Sequence, residues 1–540
     1  MIRDEIKESL KKALNELGIE DIEPALERPK DSKNGDYSSS VALGLAKKLD
    51  FKNPLDLAQK IVEILNNNKD LQDNCSKIEA KAPGFINFYL SNKYLQNQLQ
   101  EIIKRGDNYG LLEIAKGKKA SVEFVSANPT GPLHIGNAVG GPLGDVIANV
   151  LTKAGYKVTR EYLHNNVGGQ VEHLGEAIYF ELHPDQKTET YAVQYQGEYI
   201  KDLAKKVKEA MPKEDDLSES KFIEKAGEIA VELLLTEILK DCEDLGIKFD
   251  KVVKESDLRK EVPRVLLKIK KYIKQKDKAE WFAPNDEFLK DRETVVKKST
   301  GEYTYFASDI AYHDQKLANN DFAIDILGSN HSGHVPRLKA VVKALGYDPN
   351  NLRVILCQYV RLKKGTEFLK MSKRTGSFVT AREVLDEVGK DAFRFFLLRS
   401  SPETHLDFDL ELAKRQASEN PVFYIQYAYS RICSIFKKAP KISFSNPDVS
   451  LLTAKEEVAL IRQLLKLPLL IEEVSYTLAV HSFTNYALEL ATFFHKFYET
   501  QQVISEDSKL TSARLALIKA TQITLKNTLD ILGVSAPEKM

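Results

Sequence analysis

The sequence lacks the features that would assign it at once to a simple class of protein. Its 540 residues carry 78 basic and 78 acidic side chains, and this zero net charge excludes a uniformly basic polyanion-coating protein. The four cysteines lie far apart without a CxxC pair, which argues against a disulfide framework or a zinc knuckle and fits a reducing cytosol. No apolar run approaches the ~20 residues that a membrane-spanning helix needs. We therefore expect a cytoplasmic protein without a membrane segment.

Several familiar catalytic motifs are absent as well. The sequence contains no Walker A motif, no GxGxxG after a strand, no HExxH and no GxSxG. Any phosphate or acyl chemistry must therefore rest on other motifs.

Apolar periodicity divides the chain into three predicted domains. Residues 1–111 predict a small α+β domain, with helices near Ile2 and Pro54 and a strand pair around a Pro-Gly turn. Residues 117–400 predict a doubly wound, Rossmann-like α/β domain with a helical insertion at about 180–280. Residues 405–540 show helical spacing throughout and predict an α-helical bundle.

The first informative motif is SANPTGPLHIGN, at 126–137, in the predicted α/β domain. It follows a predicted strand at 121–126 and runs into a predicted helix at about 136–153, which is where such sheets bind ligands. Gly131 and Gly136 allow close approach of a ligand to the backbone, and His134 would point its imidazole at phosphates. A solvated helix cap is the alternative role for this histidine. Further strands are predicted at 156–164, 323–328 and 352–360.

The second informative motif is FLKMSKRTG, at 368–376. Lys370, Lys373 and Arg374 place three cations in a short loop, which can fold over a triphosphate and follow the charge on a leaving pyrophosphate. A solvated basic loop is the alternative. The occurrence of both motifs in this order is much more specific than either motif alone.

HIGN and KMSK resemble the two signature motifs of class I aminoacyl-tRNA synthetases, and the wider sequence resembles the arginyl-tRNA synthetase family. The matching segments span essentially the whole chain: GDYSS, PGFINF, VEFVSANPTGPLHIGN, YFASDIAYH, LGSNHSGHVPR, FLKMSKRTG, NPVFYIQYAYSRI and the closing EKM. The resemblance implies a class I catalytic domain with an N-terminal additional domain and a C-terminal anticodon-binding domain. It also implies activation of arginine with ATP and transfer of arginine to tRNA(Arg).

The resemblance implies a role for each candidate site residue. The catalytic residues would be His134, Asn137, Lys370 and Lys373. The residues around ATP would be Gly136, His134, Met371, Ser372, Lys373 and His331. The residues around arginine would be Glu123, Ser126, Asn128, Tyr305, Asp309 and Gln170. Structural alternatives stay open for three of these residues: an ion pair for Glu123, a core position for Tyr305 and a helix cap for His331.

The resemblance also implies partners and a cofactor. Phe85 and Asn87 match residues that contact the D-loop of tRNA, and Tyr427 and Arg431 lie where the family binds the anticodon; an inward-packed Phe85 is the structural alternative. Mg²⁺ would enter with ATP, without a dedicated metal site on the protein. We expect a monomer, since no segment predicts a dimer face.

Two positions depart from the family pattern. The first motif ends in Asn137 rather than histidine, which still offers a hydrogen-bond donor. The Asn-Asp pair of the family reads Asn165-Asn166 here, so its carboxylate is missing.

Two other kinds of function remain open from the sequence. One is a related enzyme, either a synthetase for another amino acid or a nucleotidylyltransferase, although the latter would not need the long helical C-terminal domain. The other is a non-catalytic RNA-binding paralogue, although that would predict eroded motifs, and His134 and the KMSK loop are intact.

The basic loop generates the first testable prediction. Loss of one preorganised transition-state donor typically costs ~3–4 kcal/mol. Lys373→Ala should therefore slow amino-acid activation strongly without affecting the fold, as measured by ATP–pyrophosphate exchange and circular dichroism. An activation rate within a few-fold of wild type would refute the role of Lys373.

Overall fold

The computed structural model describes residues 2–29, 31–49, 51–186, 195–211, 217–365, 367–369, 379–439 and 447–540. The predicted loop residues Lys370, Met371, Ser372 and Lys373 lie outside these ranges. Within the described part of the chain, none of the helices combines the length and apolar character that crossing a bilayer requires.

The N-terminal part is a three-stranded antiparallel sheet covered by helices. Its elements are α1 (Ile2–Glu16), β1 (Tyr37–Ser39), α2 (Val41–Leu45), α3 (Pro54–Leu65), α4 (Lys69–Asn74), β2 (Cys75–Lys81), β3 (Phe85–Leu90) and α5 (Asn92–Arg105). α1 forms because Ile6, Leu10 and Leu14 recur at helical spacing and are fully buried. The side chain of Asn53 caps α3 directly before Pro54. The predicted strand pair is confirmed: β3 pairs with β2 on one side and β1 on the other.

The middle of the chain forms a five-stranded parallel sheet flanked by helices. Its elements, with those of the insertion, are β4 (Lys119–Glu123), α6 (Ile135–Ala138), α7 (Gly140–Ala154), β5 (Lys157–His164), α8 (Gly169–Leu182), α9 (Glu198–Ala210), α10 (Glu219–Asp244), β6 (Lys251–Lys254), α11 (Glu255–Lys268), β7 (Ile273–Lys276), β8 (Ala279–Phe282), β9 (Thr294–Lys297), α12 (Tyr305–Asn319), β10 (Phe322–Gly328), α13 (Val335–Ala344) and β11 (Leu352–Cys357). The strand order is β11-β10-β4-β5-β6, so the chain leaves β4 toward β6 and later returns on its other side. This reversal beside β4 marks the ligand-binding edge of the sheet.

The first strand of this sheet is shorter than predicted. β4 ends at Glu123 rather than at Ser126, because Val125 and Ser126 adopt positive φ angles of 66° and 38° that turn the chain out of the sheet. The predicted helix at 136–153 corresponds to α6 and α7, and the three further predicted strands correspond to β5, β10 and β11.

The segment at about 180–280, predicted as a helical insertion, contains strands as well. α8, α9 and α10 pack around an apolar core of their own. β6 then joins the main sheet beside β5, and β7 and β8 begin a separate antiparallel sheet with β9. The sequence did not indicate β6 and β7 because each has four residues and is rich in lysine, KVVK and IKQK.

The small antiparallel sheet packs beside α12. Phe282 and Val296 are fully buried in a cluster with residues of α11 and α12. Trp281, the single tryptophan, pairs in register with Val295, whose carbonyl accepts a hydrogen bond from the Thr304 hydroxyl at 2.8 Å. The sheet thus borders the first residue of α12.

A third small sheet and a long helix connect the main sheet to the C-terminal helices. These elements are β12 (Val360–Lys364), β13 (Glu367–Phe368), α14 (Ala381–Leu397) and β14 (Leu406–Asp409), with the strand order β13-β12-β14. α14 begins at a capping box in which Thr380 and Glu383 bind each other's backbone N–H groups.

The C-terminal part is helical, as predicted. Its helices are α15 (Leu410–Lys414), α16 (Pro421–Lys438), α17 (Lys455–Leu464), α18 (Leu467–Thr477), α19 (His481–Thr500) and α20 (Ser508–Leu532). The predicted apolar stripe of α19, including Phe483, Leu490 and Phe494, is fully buried. Gly533 ends α20 in the left-handed region with a φ of 66°.

The guanidinium of Arg394, on α14, joins helices that flank the parallel sheet to the C-terminal helices. It donates to Asp145 Oδ2 on α7 at 2.6 Å, to the Leu245 carbonyl after α10 at 2.9 Å, and to the Leu532 carbonyl at the end of α20 at 2.9 Å. Arg394 is 0% exposed. Since a buried charge needs this full set of partners, the residue fixes how α7, the end of α10 and the end of α20 meet around α14.

The buried ion pair between Arg394 and Asp145 generates a prediction about stability. Arg394→Met should cost about 3–5 kcal/mol, because it leaves the buried Asp145 carboxylate without its closest cation. The matched control is Arg382→Met on the same helix, whose guanidinium binds Asp241 and Asp244 at a half-buried surface, where about 1 kcal/mol is expected. Urea unfolding followed by far-UV circular dichroism measures both variants. Equal shifts of the two transition midpoints would contradict the assignment.

Candidate active site

The candidate active site lies at the carboxyl ends of three neighbouring strands. Glu123 ends β4, Asn165 follows the end of β5, and a short turn that follows β10 ends at His334. α12 reaches the same edge, because Asp309 of this helix contacts His334. The strand order reverses here, so the crevice is the expected ligand site of an open parallel sheet.

The turn between β4 and α6 holds His134 at the start of a helix. His134 is the N-cap of α6, and its Nδ1 accepts a hydrogen bond from Gly136 N at 2.9 Å. In a neutral imidazole this bond leaves the proton on Nε2, the nitrogen that would donate to a phosphate oxygen. Asn137 is exposed on α6, and Gly136 is half-buried. His134 is thus a helix cap, and it lies at the helix start where the sequence predicted it.

Thr380 and Ala381, which follow the predicted phosphate-binding loop, pair with the backbone beside His134. Ala381 N donates to the Leu133 carbonyl at 2.7 Å, and His134 and Thr380 form an antiparallel bridge. The end of the loop that carries the second motif is thereby attached to the first motif. Lys370, Met371, Ser372 and Lys373 lie outside the described residues, so their roles stay predictions.

Tyr305 and Asp309 lie one turn apart at the start of α12. Tyr305 is 45% exposed, and Gln170, at the start of α8, also has an exposed side chain. Asp309 is half-buried and accepts a hydrogen bond from His334 Nε2 at 3.0 Å. The helix thus presents an aromatic ring and a carboxylate on one side, while His331 lies exposed in the turn after β10.

Glu255 is an acidic residue of this site that the sequence analysis missed. It begins α11 directly after β6 and is 2% exposed. Its Oε1 accepts hydrogen bonds from Arg259 Nη2 at 3.0 Å and from the Ser308 hydroxyl at 3.4 Å. Burial raises the pKa of Glu255 against the effect of Arg259, and the carboxylate of Asp309 adds to the rise. Its position at the carboxyl end of a strand would have identified it, but β6 was predicted as helix.

A cleft of about 1530 Å³ opens between the helical insertion and the start of α12. Tyr305 and Arg259 lie on its wall, with the guanidinium carbon 5.9 Å from the centre of the tyrosine ring. Gly168 faces this ring at a φ of +100°, and a Cβ there would lie 2.3 Å from the Tyr305 hydroxyl. Glycine at this position therefore leaves the space that Tyr305 occupies.

Glu123 and Ser126 form the inner part of the site. The Ser126 hydroxyl donates to Glu123 Oε1 at 2.9 Å and accepts from Leu163 N at 3.0 Å. Glu123 Oε2 accepts a hydrogen bond from Lys316, so the alternative role proposed from the sequence, an ion pair, does occur, within the core rather than at a strand edge. Burial raises the pKa of Glu123, and Lys316 opposes this rise. Its contact with a substrate stays a prediction.

The asparagines after β5 have structural partners. Asn165 Nδ2 donates to Asn128 Oδ1 at 2.7 Å, and both side chains reach the surface. Asn166 exchanges two hydrogen bonds with Ser256 of α11: its Nδ2 donates to Ser256 Oγ at 3.0 Å, and its Oδ1 accepts from Ser256 N at 3.1 Å. The uncharged side chain of Asn166 thus links the segment after β5 to the start of α11 through two hydrogen bonds.

The two residues predicted to contact RNA in the N-terminal domain differ in exposure. Phe85 is half-buried at the start of β3. Asn87 is only 1% exposed, and its Oδ1 accepts from the Ser38 hydroxyl of β1 at 2.7 Å. The expectation that Asn87 presents its amide to a nucleotide is not met in this conformation, because the amide is buried between two strands.

The predicted C-terminal RNA residues belong to an aromatic cluster. Arg431 donates a hydrogen bond to the Tyr427 hydroxyl, and its guanidinium lies over the rings of Tyr427 and Tyr498 at 5.1 and 5.3 Å. The Tyr427 ring also stacks on His495 at 5.9 Å. Arg431 and Tyr498 line a surface cavity of about 510 Å³ between α16 and the end of α19.

Three family models match the chain in series. They are described as the arginyl tRNA synthetase N terminal domain at residues 2–90, the class I (R) tRNA synthetase catalytic domain at residues 98–400, and the DALR anticodon binding domain at residues 425–540. The predicted domain limits remain predictions, although they fall close to these matches.

Curated and solved relatives agree with the family models. The arginine–tRNA ligase of Staphylococcus aureus is 40% identical over 100% of this chain and 99% of its own length. The structure of Thermus thermophilus arginyl-tRNA synthetase matches with a TM-score of 0.81 at 22% identity, covering 100% of both chains. Plasmodium falciparum arginyl-tRNA synthetase matches with a TM-score of 0.76 at 20% identity, covering 100% of this chain and 99% of that one. The chain belongs to the arginyl-tRNA synthetase family.

Proposed function

We infer that the chain is an arginine–tRNA ligase that uses ATP to join arginine to tRNA(Arg). In the first step a carboxylate oxygen of arginine attacks the α-phosphorus of ATP, and pyrophosphate leaves. In the second step the terminal ribose hydroxyl of the tRNA attacks the carbonyl carbon of arginyl-adenylate, and AMP leaves. The observation that carries this inference is the convergence of Tyr305, Asp309 and Glu255 on the sheet edge that also holds the His134 turn.

The pocket chemistry suits a guanidinium. This group is planar, always charged and offers five donors, so carboxylates and a flat aromatic ring recognise it best. Asp309 on α12 and Glu255 on α11 supply the carboxylates. Tyr305, on the wall of the cleft, supplies the aromatic ring. The remaining predicted contacts, to the α-amino group and nearby polar atoms, are Glu123, Ser126, Asn128 and Gln170.

The phosphates of ATP would lie between the two motifs. His134 and Lys373 would stabilise the charge that develops at the α-phosphorus, and Lys370 would support the loop. Other contacts to ATP would come from Gly136, Met371, Ser372 and His331, with Asn137 beside the first motif. Mg²⁺ would enter with ATP and would be held chiefly by its phosphate oxygens.

The tRNA would contact both terminal domains. The Tyr427–Arg431 cluster borders a surface cavity and combines aromatic faces with a cation, which suits unpaired bases. Phe85 is the more accessible of the two predicted N-terminal contacts. We further propose that the enzyme acts as a monomer in the cytoplasm.

Selection of arginine over its neutral isostere citrulline gives a direct test. The kcat/KM for citrulline should be roughly 10⁴-fold lower than that for arginine, because its neutral side chain forms no ion pair with the carboxylates of Asp309 and Glu255. The measurement is ATP–pyrophosphate exchange with each amino acid in the presence of tRNA(Arg). Comparable exchange with arginine and citrulline would refute the assignment. The Asp309→Asn variant should show a smaller preference for arginine over citrulline than the wild type does.

Gly168 gives a structural test of the Tyr305 position. Gly168→Ala places a methyl group against the tyrosine hydroxyl, and strain of ~1–3 kcal/mol should raise the KM for arginine by about tenfold while the KM for ATP changes little. Gly169→Ala is the matched control, since no atom lies within 4 Å of its added Cβ. If both alanine variants bind arginine as wild type does, Tyr305 does not contact the substrate.

A further inference from the structure

Lys316, near the end of α12, is the central cation of a buried ionic network. Its side chain is 0% exposed, and its Nζ donates to Glu123 on β4 and to Asp325 Oδ1 on β10 at 2.6 Å. The ammonium also lies 3.9 Å from the centre of the Tyr312 ring. Tyr312 in turn donates its hydroxyl proton to Glu161 on β5 at 2.8 Å. Lys316 therefore contacts β4 and β10, the two strands between which the strand order of the sheet reverses.

The network continues from Asp325 to the arginine-binding helix. Asp325 Oδ2 accepts from His313 Nε2 at 2.8 Å, and His313 Nδ1 donates to the backbone carbonyl of Asp309 at 2.7 Å. Burial would raise the pKa of Asp325, but Lys316 and His313 hold it well below its usual range. Burial would lower the pKa of His313, but Asp325 raises it above its ordinary value. Both ring nitrogens are thus placed to donate, as a protonated imidazole requires.

We propose that Lys316 is a positioning residue that fixes both Glu123 and Asp309, the carboxylates assigned to opposite ends of the substrate arginine. It holds Glu123 directly and holds the Asp309 backbone through Asp325 and His313. This proposal rests on the proposed function. A single ammonium group thereby sets the separation between Glu123 and Asp309, from a position in which its own side chain is 0% exposed.

The geometry explains why a lysine is needed rather than an apolar side chain. Glu123, Asp325 and Glu161 are each at most 5% exposed, and carboxylates so enclosed require cations or donors. Lys316 and His313 are the buried cations in contact with two of them, and Tyr312 serves the third. Removal of the ammonium would let Glu123 rotate away from its hydrogen bond with Ser126 or take up a proton.

The test compares Lys316→Met with Lys268→Met. Lys268 also binds a buried carboxylate of α12, Asp314, at 2.7 and 2.8 Å, but the other partners of this carboxylate are Arg264 and Tyr347 rather than residues of the Lys316 network. In ATP–pyrophosphate exchange with tRNA(Arg), Lys316→Met should raise the KM for arginine by about tenfold or more and leave the KM for ATP within about threefold. Lys268→Met should change neither constant by more than about twofold.

A double-mutant cycle separates positioning from loss of fold. If Lys316 acts through Glu123, Lys316→Met combined with Glu123→Gln should raise the KM for arginine no more than the stronger single variant does. If Lys316→Met does not fold, Lys316→Met/Asp325→Asn removes one charge of each sign and should show the same selective rise. A folded Lys316 variant with wild-type KM for arginine, or additive effects in the cycle, would overturn the proposal. Absence of arginine-dependent exchange in the wild type would instead refute the proposed function.

Discussion

One buried guanidinium fixes how the C-terminal helices are placed against the helices that flank the parallel sheet. Arg394 satisfies a carboxylate of the catalytic layer and carbonyl groups at the ends of α10 and α20, all within hydrogen-bond distance. A charge enclosed in this way is stable only when each of these partners is in place, so the contact is all-or-none. Since α14 also begins at the bridge between Thr380 and His134, one helix connects the turn that carries His134 to the C-terminal helices.

Much of the fold could be predicted from the sequence because long elements carry strong periodic patterns. α1, α3 and α19 repeat apolar residues at helical spacing, and β5, β10 and β11 are long enough to be recognised. The elements that escaped prediction are short and polar: β6 and β7 owe their strand conformation to neighbours in the sheet rather than to their own composition. The early end of β4 depends on the positive φ angles of Val125 and Ser126, which no residue preference indicates.

The site was predictable where a role depends on motif, and not where it depends on distant contacts. His134, Tyr305 and Asp309 lie at the expected sheet edge because their segments follow strands or open a helix. Glu255 escaped prediction because β6, which it follows, was predicted as helix, and Lys316 escaped it because only the folded sheet brings Glu123 close to it. Asn87 shows an ambiguity of this reasoning: an amide that suits a base edge is equally suited to the neighbouring strand, where its Oδ1 accepts a hydrogen bond from Ser38.

The small antiparallel sheet beside α12 has a spectroscopic consequence. It holds the only tryptophan of the chain, and Trp281 is separated from Tyr305 by one strand pairing and one hydrogen bond, through Val295 and Thr304. Indole emission depends on the polarity and motion of its surroundings, so the whole tryptophan signal of this large protein comes from the strand beside the one that contacts the start of α12. The wild-type chain therefore carries its own fluorophore for a rearrangement at the start of α12, and no label has to be introduced.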